Sequence, residues 1–322
     1  MKAVFVTTFG GIDKLRYEEI ATPKPASGEV LVRIAYSGVN FIDIYFRTGL
    51  YPATPPVVLG MEAAGMVEAV GEGVEAVRPG DQVAYAMARG SYAEYAAVSA
   101  SLLVKVPPAI ALDLAAASML QGMTAHYLTH STHPLQPGEI CLVHAAAGGA
   151  GQWIVAAAKI RGAQVIGTVS TDEKAAIARS VGCDHVINYS TTDFAAEVKR
   201  ITEGRGVDVV YDSVGAATWE RSLDSLRPRG MMVSFGNASG PVPEIQPLLL
   251  NKKGSIYLTR PSLAHYAAKR EELDWRASDV FNWILGGLYT PQIHKIYPLA
   301  EAAQAQDDLA SRRTAGKHLL RP

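Results

Sequence analysis

From about Leu120 onward, short apolar runs alternate with segments of helical period, and this alternation constrains the fold more than any other feature. The run ICLVH ends at the turn AAAGGAG, which opens the helical segment QWIVAAAKI. Further apolar runs follow, each separated from the next by a helix-forming segment: AQVIGTV, HVINY, VDVVYDSV and GMMVSFG. The rhythm predicts βαβ units and a parallel sheet, because strands covered on both faces show little polar alternation.

The glycine-rich turn predicts a dinucleotide site of the Rossmann type. The fingerprint G-x-G-x-x-G maps onto Ala146, Gly148 and Gly151, so an alanine replaces the first glycine. Gly148 lets the backbone approach a pyrophosphate, and Gly151 permits close packing of the helix on the strand. The helix N-terminus offers N–H groups and a positive dipole end to the phosphates. The predicted phosphate-binding residues are Ala147, Gly148, Gly149, Ala150 and Gly151.

The end of the next strand favours NADPH over NADH. An NAD-specific site usually has an acidic residue there to hold the ribose hydroxyls. Here Val169 is followed by Ser170, and Lys174 comes four residues later, so a 2′-phosphate finds a hydroxyl and a positive charge. Asp172 and Glu173 count against this choice if they turn inward, and the same residues also read as the first turn of a solvated helix.

Other candidate cofactor contacts follow later strands, at the sheet edge where ligands of such folds bind. One lies in the loop after HVINY, one in the turn after VDVVYDSV, and three at the end of SFGN. Each also reads as a plain turn. The candidates are Tyr189, Ser213, Phe235, Gly236 and Asn237.

The chain outside this region predicts a second domain. Its first 120 or so residues hold short alternating strands separated by Gly and Pro, which is typical of a β-rich, barrel-like domain. The final segment mixes helices with the strands HKIYPL and GKHLLRP, and we expect it to pack back onto the N-terminal domain. The predicted division is residues 1–122 with 265–322 for one domain, and 123–264 for the nucleotide-binding domain.

Composition excludes several classes of function. The formal net charge is −1 over 322 residues, which gives no electrostatic case for binding nucleic acid or an anionic membrane. No stretch approaches the ~20 apolar residues of a membrane helix. The chain has only two cysteines, Cys141 in an apolar run and Cys183 after Gly182 at a predicted helix end, so a disulfide framework is not expected. These features predict a cytoplasmic protein.

Seven segments along the whole chain form a specific combination: GVNFIDIYFRTGLYP, LGMEAAGMVEAVGEGV, AAAGGAGQ, VINY, YDSVG, SFGNASG and TRPSL. Together they resemble the medium-chain dehydrogenase/reductase superfamily, and within it the zinc-free NADPH:quinone oxidoreductase (zeta-crystallin-like) branch. The resemblance implies an α/β protein with a GroES-like β-barrel catalytic domain split around a Rossmann domain. It also implies a homodimer formed through an edge strand near GSIYLTR.

The departures from the zinc-dependent alcohol dehydrogenases predict that no metal is bound. Those enzymes have a cysteine where this chain has Asn40, and a histidine where it has Met61, next to Glu62. Zinc needs three or four N, S or O ligands in tetrahedral array. His126 and His130 have helical spacing but lack the glutamate of H-E-x-x-H, so we interpret them as part of a polar helix face.

The resemblance implies that NADPH binds between the domains with its nicotinamide facing residues 40–51. Asn40 and Asp43 are then near the reacting ring, with Arg47 holding Asp43 or the substrate. Tyr45 and Tyr51 offer flat apolar walls with polar tips. Asp43 and Arg47 also read as a structural i, i+4 ion pair.

Thr124 is expected on the nicotinamide side. The leading hypothesis is hydride transfer from NADPH to a quinone, with the protein positioning and polarising the reactants. One alternative is reduction of the activated C=C bond of an enone or alkenal with the same cofactor. The second is a non-enzymatic crystallin-like or RNA-binding role, which the intact cofactor loop disfavours.

Overall fold

A computed structural model describes all residues from Met1 to Pro322. Its strands, in chain order, are β1 Lys2–Val6, β2 Leu15–Glu19, β3 Glu29–Val39, β4 Val57–Val58, β5 Glu62–Val70, β6 Gln82–Ala86, β7 Tyr95–Ser99, β8 Val104–Lys105, β9 Ile140–Val143, β10 Gln164–Val169, β11 His185–Asn188, β12 Val207–Asp212, β13 Leu226–Ser234, β14 Tyr257–Thr259, β15 Ile293–Pro298 and β16 Lys317–Arg321. The α-helices are α1 Phe41–Thr48, α2 Leu112–Tyr127, α3 Gly149–Ile160, α4 Asp172–Val181, α5 Phe194–Ile201, α6 Trp219–Ser225, α7 Leu248–Lys252, α8 Leu263–Tyr266, α9 Arg270–Leu285 and α10 Ala302–Ala310.

The chain divides into two compact units. The first consists of Met1–Met123 together with Ala267–Pro322, and the second of Thr124–Tyr266. The second unit is therefore inserted between two segments of the first. The divisions fall at 123/124 and 266/267, where the sequence predicts 122/123 and 264/265.

The second unit is built on a six-stranded sheet in which every neighbouring pair is parallel. The strand order is β11-β10-β9-β12-β13-β14. This is the doubly wound order of dinucleotide-binding domains, and it confirms the predicted parallel sheet. Strand residues such as Leu142, Ile166 and Val210 pack with Phe194 of α5 and Trp219 of α6 in one buried apolar cluster.

The order of the strands reverses between β9 and β12. Connections leave the carboxyl ends of these neighbouring strands toward opposite sides, which opens a crevice there for ligands. The turn after β9 and the turn after β12 therefore lie at the ligand-binding edge of the sheet. Both turns contain residues that the sequence selects as cofactor contacts.

Strand β14 is the last strand of the same sheet and pairs with β13 alone. This confirms that the segment GSIYLTR forms an edge strand. Its Tyr257 is 59% exposed, so one face of the strand carries a large apolar side chain at the surface.

The first unit is formed mainly by antiparallel β-structure. A three-stranded sheet has the order β2-β1-β4, and a seven-stranded sheet has the order β15-β16-β3-β5-β6-β8, with β7 paired to β3. Its core includes Val32, Val67, Val83 and Val98 from four different strands. Strand β16 pairs antiparallel with β3, which confirms the predicted return of the C-terminal segment.

No helix in the structure is both long enough and apolar enough to span a lipid bilayer.

A glycine of β5, opposite Ile34 of the paired strand β3, tests how closely the two strands are packed. A Cβ added at Gly65 would lie 2.1 Å from the carbonyl oxygen of Arg33. We expect Gly65→Ala to lower the free energy of unfolding by about 1–3 kcal/mol, because the backbone of β3 must move. Urea denaturation measures the loss.

The control is Gly286→Ala. Gly286 ends α9 with φ −80° and ψ −1°, a conformation open to alanine. We expect a change within about 0.5 kcal/mol there. Equal losses of unfolding free energy in the two variants would show that β3 and β5 are not close-packed at Gly65.

Candidate active site

The turn between β9 and α3 forms a close backbone approach that only glycine permits. A Cβ added at Gly151 would lie 2.2 Å from the carbonyl oxygen of Ala145 and 2.9 Å from the Cα of Ala146. This confirms the role assigned to Gly151. The left-handed residue of this turn is Ala145, with φ 51°, so the turn accommodates a residue with a Cβ. Ala146 donates its N–H to the carbonyl of Thr168 in β10.

The start of α3 has no side-chain cap. Gly148 is the N-cap, in extended conformation, and its lack of a side chain means that no side chain caps the helix. The first N–H groups of an α-helix have no partner within the helix, so those of Gly149, Ala150 and Gly151 are available to a ligand. Gln152 secures the preceding loop by donating its side-chain amide to the carbonyl of Ala147 at 2.8 Å.

A buried histidine directly after β9 links β10 to α6. His144 Nδ1 lies 2.8 Å from Thr168 Oγ1, and Nε2 lies 2.9 Å from Ser222 Oγ. Because Ser222 donates to Asp212 Oδ2, Nε2 must donate to Ser222 and Nδ1 must accept from Thr168. Burial lowers the pKa of His144, so the ring is neutral at physiological pH.

Asp212 shapes the turn that follows β12. Its Oδ1 accepts the N–H groups of Val214 and Gly215 at 2.7 and 3.0 Å. Its Oδ2 accepts the hydroxyl of Thr218 at 2.7 Å. The carboxylate thus satisfies backbone groups that the turn would otherwise leave unpaired, and it fixes the loop beside Ser213.

The turns after β12 and β13 pack against each other. A Cβ at Gly236 would lie 2.4 Å from the carbonyl oxygen of Ser213. Phe235 donates its N–H to the carbonyl of Asp212, and Ala238 donates to that of Ser213. The structure therefore brings together Ser213, Phe235 and Gly236, with Asn237 next in the same loop.

The residues after β10 and β11 also lie side by side. Tyr189 donates its N–H to the carbonyl of Val169, and the Ser190 hydroxyl donates to the carbonyl of Ser170. Thr171 is the N-cap of α4 and accepts the N–H of Lys174. Asp172, which could repel a phosphate, instead accepts the side-chain amide of Asn188 at 3.2 Å.

Thr124 lies in α2, at the first residue of the second unit, and is 8% exposed. His126 of the same helix is completely buried, and its ring stacks on that of His130 with centroids 4.3 Å apart. The two rings are therefore packed together, and His126 is buried inside the unit rather than on an exposed polar helix face.

Asn40 of the first unit belongs to a buried hydrogen-bond cluster, which we call the Asn40 cluster: Asn40, Glu62, Gln121 and Lys317. The Asn40 amide donates to Glu62 Oε2 at 2.8 Å and to the carbonyl of Gly38 at 3.3 Å. Its oxygen accepts from Lys317 Nζ at 2.7 Å and from Gln121 Nε2 at 3.3 Å. Both donors and both lone pairs of the amide are therefore used inside the protein.

Lys317 and Glu62 form an ion pair within this cluster. Nζ lies 2.5 Å from Glu62 Oε2, and the two side chains are 1% and 0% exposed. The other carboxylate oxygen accepts the N–H of Leu120 at 2.6 Å. Removing either charge alone would leave the other buried and unpaired, which is strongly destabilising.

Asp43 lies beneath the start of α1 and is completely buried. Its Oδ2 accepts the N–H of Asn40 at 2.8 Å and the hydroxyl of Tyr92 at 3.0 Å. Burial raises the pKa of Asp43 to about 7, against the opposing effect of these two hydrogen bonds.

The predicted pairing of Arg47 with Asp43 is wrong. The Asp43 carboxylate turns back to the helix N-terminus, where it accepts the N–H of Asn40, rather than along the helix toward Arg47. Arg47 is itself buried, and its Nε and Nη1 have no hydrogen-bond partner. Burial lowers the pKa of Arg47.

Tyr45 and Tyr51 pack against each other. Their ring centroids are 5.1 Å apart, and Tyr51 donates its N–H to the carbonyl of Tyr45. Phe46 meets Tyr51 edge to face with centroids 5.8 Å apart. The two tyrosines thus form one aromatic group on α1 and the loop after it.

Sequence reasoning missed Glu62 and Lys317 as site residues. Glu62 is a lone acid inside the apolar run LGMEAAGM, which is a usable signal because an unpaired buried carboxylate is costly. Lys317 carries no comparable signal, since a lysine at the start of a terminal strand normally faces solvent.

The Asn40 cluster does not fit a zinc ion. Asn40 and Met61 supply no thiolate or imidazole, and the Lys317 ammonium already satisfies the oxygens of Asn40 and Glu62. No group of three or more His, Cys, Asp or Glu side chains in the structure is arranged to hold a metal ion.

The chain matches two domain families. Residues 26–108 match the alcohol dehydrogenase GroES-like domain, and residues 149–274 match the family described as zinc-binding dehydrogenase. The fold is therefore a GroES-like domain combined with a Rossmann domain, as the sequence predicts.

Individual relatives specify the family. The chain is 46% identical over 323 residues to a quinone oxidoreductase of Pseudomonas aeruginosa, covering 100% of this chain and 99% of that protein. It is 45% identical to a 2-haloacrylate reductase of a Burkholderia species, covering 97% and 96%. The crystal structure of Escherichia coli quinone oxidoreductase complexed with NADPH superposes with a TM-score of 0.98 at 44% identity, with both chains fully covered. This chain belongs to the quinone oxidoreductase branch of the medium-chain dehydrogenase/reductase superfamily.

The titration of Asp43 predicts a pH-dependent stability. Its pKa is about 7 in the folded protein and has a usual value of 3.8, so the folded state binds the extra proton between these values. Stability from this group is fully present below pH 3.8 and is lost as the pH rises through 7. The steepest loss is about 1.4 kcal/mol per pH unit.

We expect Asp43→Asn to flatten that part of the curve, because an amide resembles the protonated carboxyl and does not ionise. The measurement is the free energy of unfolding between pH 4 and 8 for the native protein and the variant. Parallel curves for the two proteins would contradict the assignment.

Proposed function

We propose that this chain is an NADPH-dependent quinone reductase. NADPH supplies a hydride, and with one proton from solvent the balanced reaction is NADPH + H⁺ + quinone → NADP⁺ + hydroquinone. The observation that carries the proposal is the anion-binding start of α3, closed against Ala145 by the missing Cβ of Gly151, in a chain 44% identical to an NADPH-bound relative. Because such a turn holds a diphosphate, it supports binding of a dinucleotide.

The preference for the 2′-phosphate rests on the end of β10. Ser170 offers a hydroxyl and Lys174 a positive charge, while Asp172 is turned to Asn188. Tyr189 is 39% exposed beside this strand end, where its ring and hydroxyl can contact the nucleotide. Ser213, Phe235, Gly236 and Asn237 are proposed contacts farther along the sheet edge, and Thr124 is proposed for the nicotinamide side.

The substrate side is proposed to lie on the first unit. Tyr51 is partly exposed and supplies flat apolar surface for a quinone ring, and the buried Tyr45 packs behind it. A quinone is already electrophilic, and its reduced oxyanion is a stable phenolate, so no strong general acid is needed. Asp43 and Arg47 are buried, and we propose that they act on the position of α1 rather than on the substrate.

A second candidate is reduction of an activated C=C bond. It is favoured by the 45% identity to a 2-haloacrylate reductase over nearly the whole of both chains. The cofactor chemistry is the same, and the difference lies in which carbon receives the hydride. An acceptor panel separates the two activities.

We further propose a cytoplasmic homodimer. Support for the dimer is the exposed edge strand β14 with Tyr257, since an unpaired strand edge is a ready surface for a second chain. Support for the location is limited to cysteine usage: Cys141 and Cys183 are buried free thiols. The near-neutral composition gives no support for nucleic acid as a partner.

Reversal of charge at Lys174 tests the cofactor assignment. We expect Lys174→Glu to weaken NADPH binding about 10- to 100-fold, the loss typical of a charge-assisted hydrogen bond, and to leave NADH binding nearly unchanged. Fluorescence titration of each reduced cofactor measures both. Lys24→Glu makes the same change of charge in the first unit and should affect neither titration. An equal loss of affinity for NADPH and NADH would contradict the assignment.

Gly151→Ala tests the diphosphate site itself. The added Cβ must displace the carbonyl of Ala145, so we expect both NADPH and NADH to bind at least about 10-fold more weakly. Circular dichroism checks that the variant is folded. A folded variant with native affinity would show that the turn does not hold the cofactor.

The acceptor panel consists of 1,4-naphthoquinone, 2-cyclohexenone and 2-chloroacrylate, each with NADPH. We expect the quinone to give the highest kcat/KM, because it needs no proton donor at the carbonyl. Faster turnover of either conjugated alkene would replace the main proposal by the second candidate. No turnover with any acceptor would favour the non-enzymatic role.

A further inference from the structure

The cation in the Asn40 cluster is the ammonium group of Lys317. Where the zinc enzymes place a cysteine and a histidine, this chain has Asn40 and Met61, and the ammonium of Lys317 binds both Asn40 Oδ1 and Glu62 Oε2. Lys317 comes from β16, at the other end of the chain, and enters the cluster because β16 pairs with β3. A buried lysine is retained only where its charge is matched, and here Glu62 matches it.

We propose that Lys317 is a positioning residue that, paired with Glu62, holds Asn40 and through it the start of α1. The inference rests on the proposed function, because it concerns how the substrate side is held. Neither side chain is exposed, so neither acts on a substrate by contact. Their effect passes through Asn40.

Asn40 transmits this effect to α1. Its amide has no hydrogen-bonding capacity left, so it cannot also bind a substrate oxygen without breaking the cluster. Its backbone is the N-cap of α1, held by the Asp43 carboxylate. Fixing Asn40 on both sides therefore fixes the start of the helix that carries Tyr45 and leads to Tyr51.

The packing around the ion pair leaves no freedom for its members. A Cβ added at Gly38 would overlap with Glu62 Oε2 and would lie 2.9 Å from Lys317 Cε. Gly38 has no left-handed backbone conformation that would by itself require glycine. Its missing side chain is explained by the room that the ion pair needs, which gives a second and independent way to disturb the cluster.

The central test is the double variant Glu62→Gln/Lys317→Met. It removes both charges together, so no unpaired charge stays buried and the protein is expected to fold. The matched control is Glu197→Gln/Arg200→Met, which neutralises a surface ion pair of the second unit. For each protein we measure NADPH affinity by fluorescence and the KM for 1,4-naphthoquinone.

We expect the double variant to bind NADPH with native affinity and to show a KM about 10-fold higher, because the tyrosines are no longer held in place. The control variant should match the native protein in both measurements. A double variant with native KM and kcat would overturn the inference. Loss of NADPH affinity would also overturn it, because the effect would then not be confined to the substrate side.

A measurement without cofactor or substrate keeps the inference separate from the proposed function. Fluorine NMR of protein labelled with 3-fluorotyrosine gives a signal for each of the 14 tyrosines, and the signals of Tyr45 and Tyr51 are assigned by their loss in Tyr45→Phe and Tyr51→Phe. We expect their signals to shift or broaden in the double variant and in Gly38→Ala, and to stay unchanged in the control. Unchanged signals in both test variants would overturn the inference even if the native protein reduces quinones. Native protein that turns over no acceptor would overturn the proposed function, whatever the NMR result.

Discussion

The structure depends on one backbone contact at the start of α3, where the helix closes against the carbonyl of Ala145. The contact exists because Gly151 has no Cβ, and any side chain there would separate the helix from the turn. Closing the helix brings its free N–H groups to the switch point of the sheet, beside the turn shaped by Asp212. Every proposed cofactor contact in the second unit is arranged around that point.

The first unit is organised by charge rather than by backbone contact. A buried lysine and glutamate form an ion pair and hold an asparagine that caps a helix. Such a pair costs desolvation free energy, so we infer that its value lies in specificity of position more than in stability.

The parallel sheet was predictable because it depends on local pattern, whereas the edge strand near GSIYLTR was implied by the family resemblance. Strand and helix periods identify the elements, and the glycines at 148 and 151 identify the ligand edge. The fingerprint does not specify which residue of the turn adopts the left-handed conformation, which the structure gives to Ala145.

The Asn40 cluster could not be predicted in the same way. Lys317 and Asn40 are far apart in sequence, and no local pattern indicates that the C-terminal strand delivers a charge to the start of α1. The pairing of Asp43 with Arg47 failed for a related reason. Helical spacing permits the pair, but the Asp43 carboxylate accepts the N–H of Asn40 and the hydroxyl of Tyr92 instead.

The central claim is that this chain transfers hydride from NADPH to a conjugated acceptor without a metal ion. The most direct measurement is quinone-dependent oxidation of NADPH by protein dialysed against a strong zinc chelator, with metal content determined on the same sample. The account predicts full turnover, with one NADPH consumed for each quinone reduced. Activity that disappears with the metal and returns when zinc is added would contradict it.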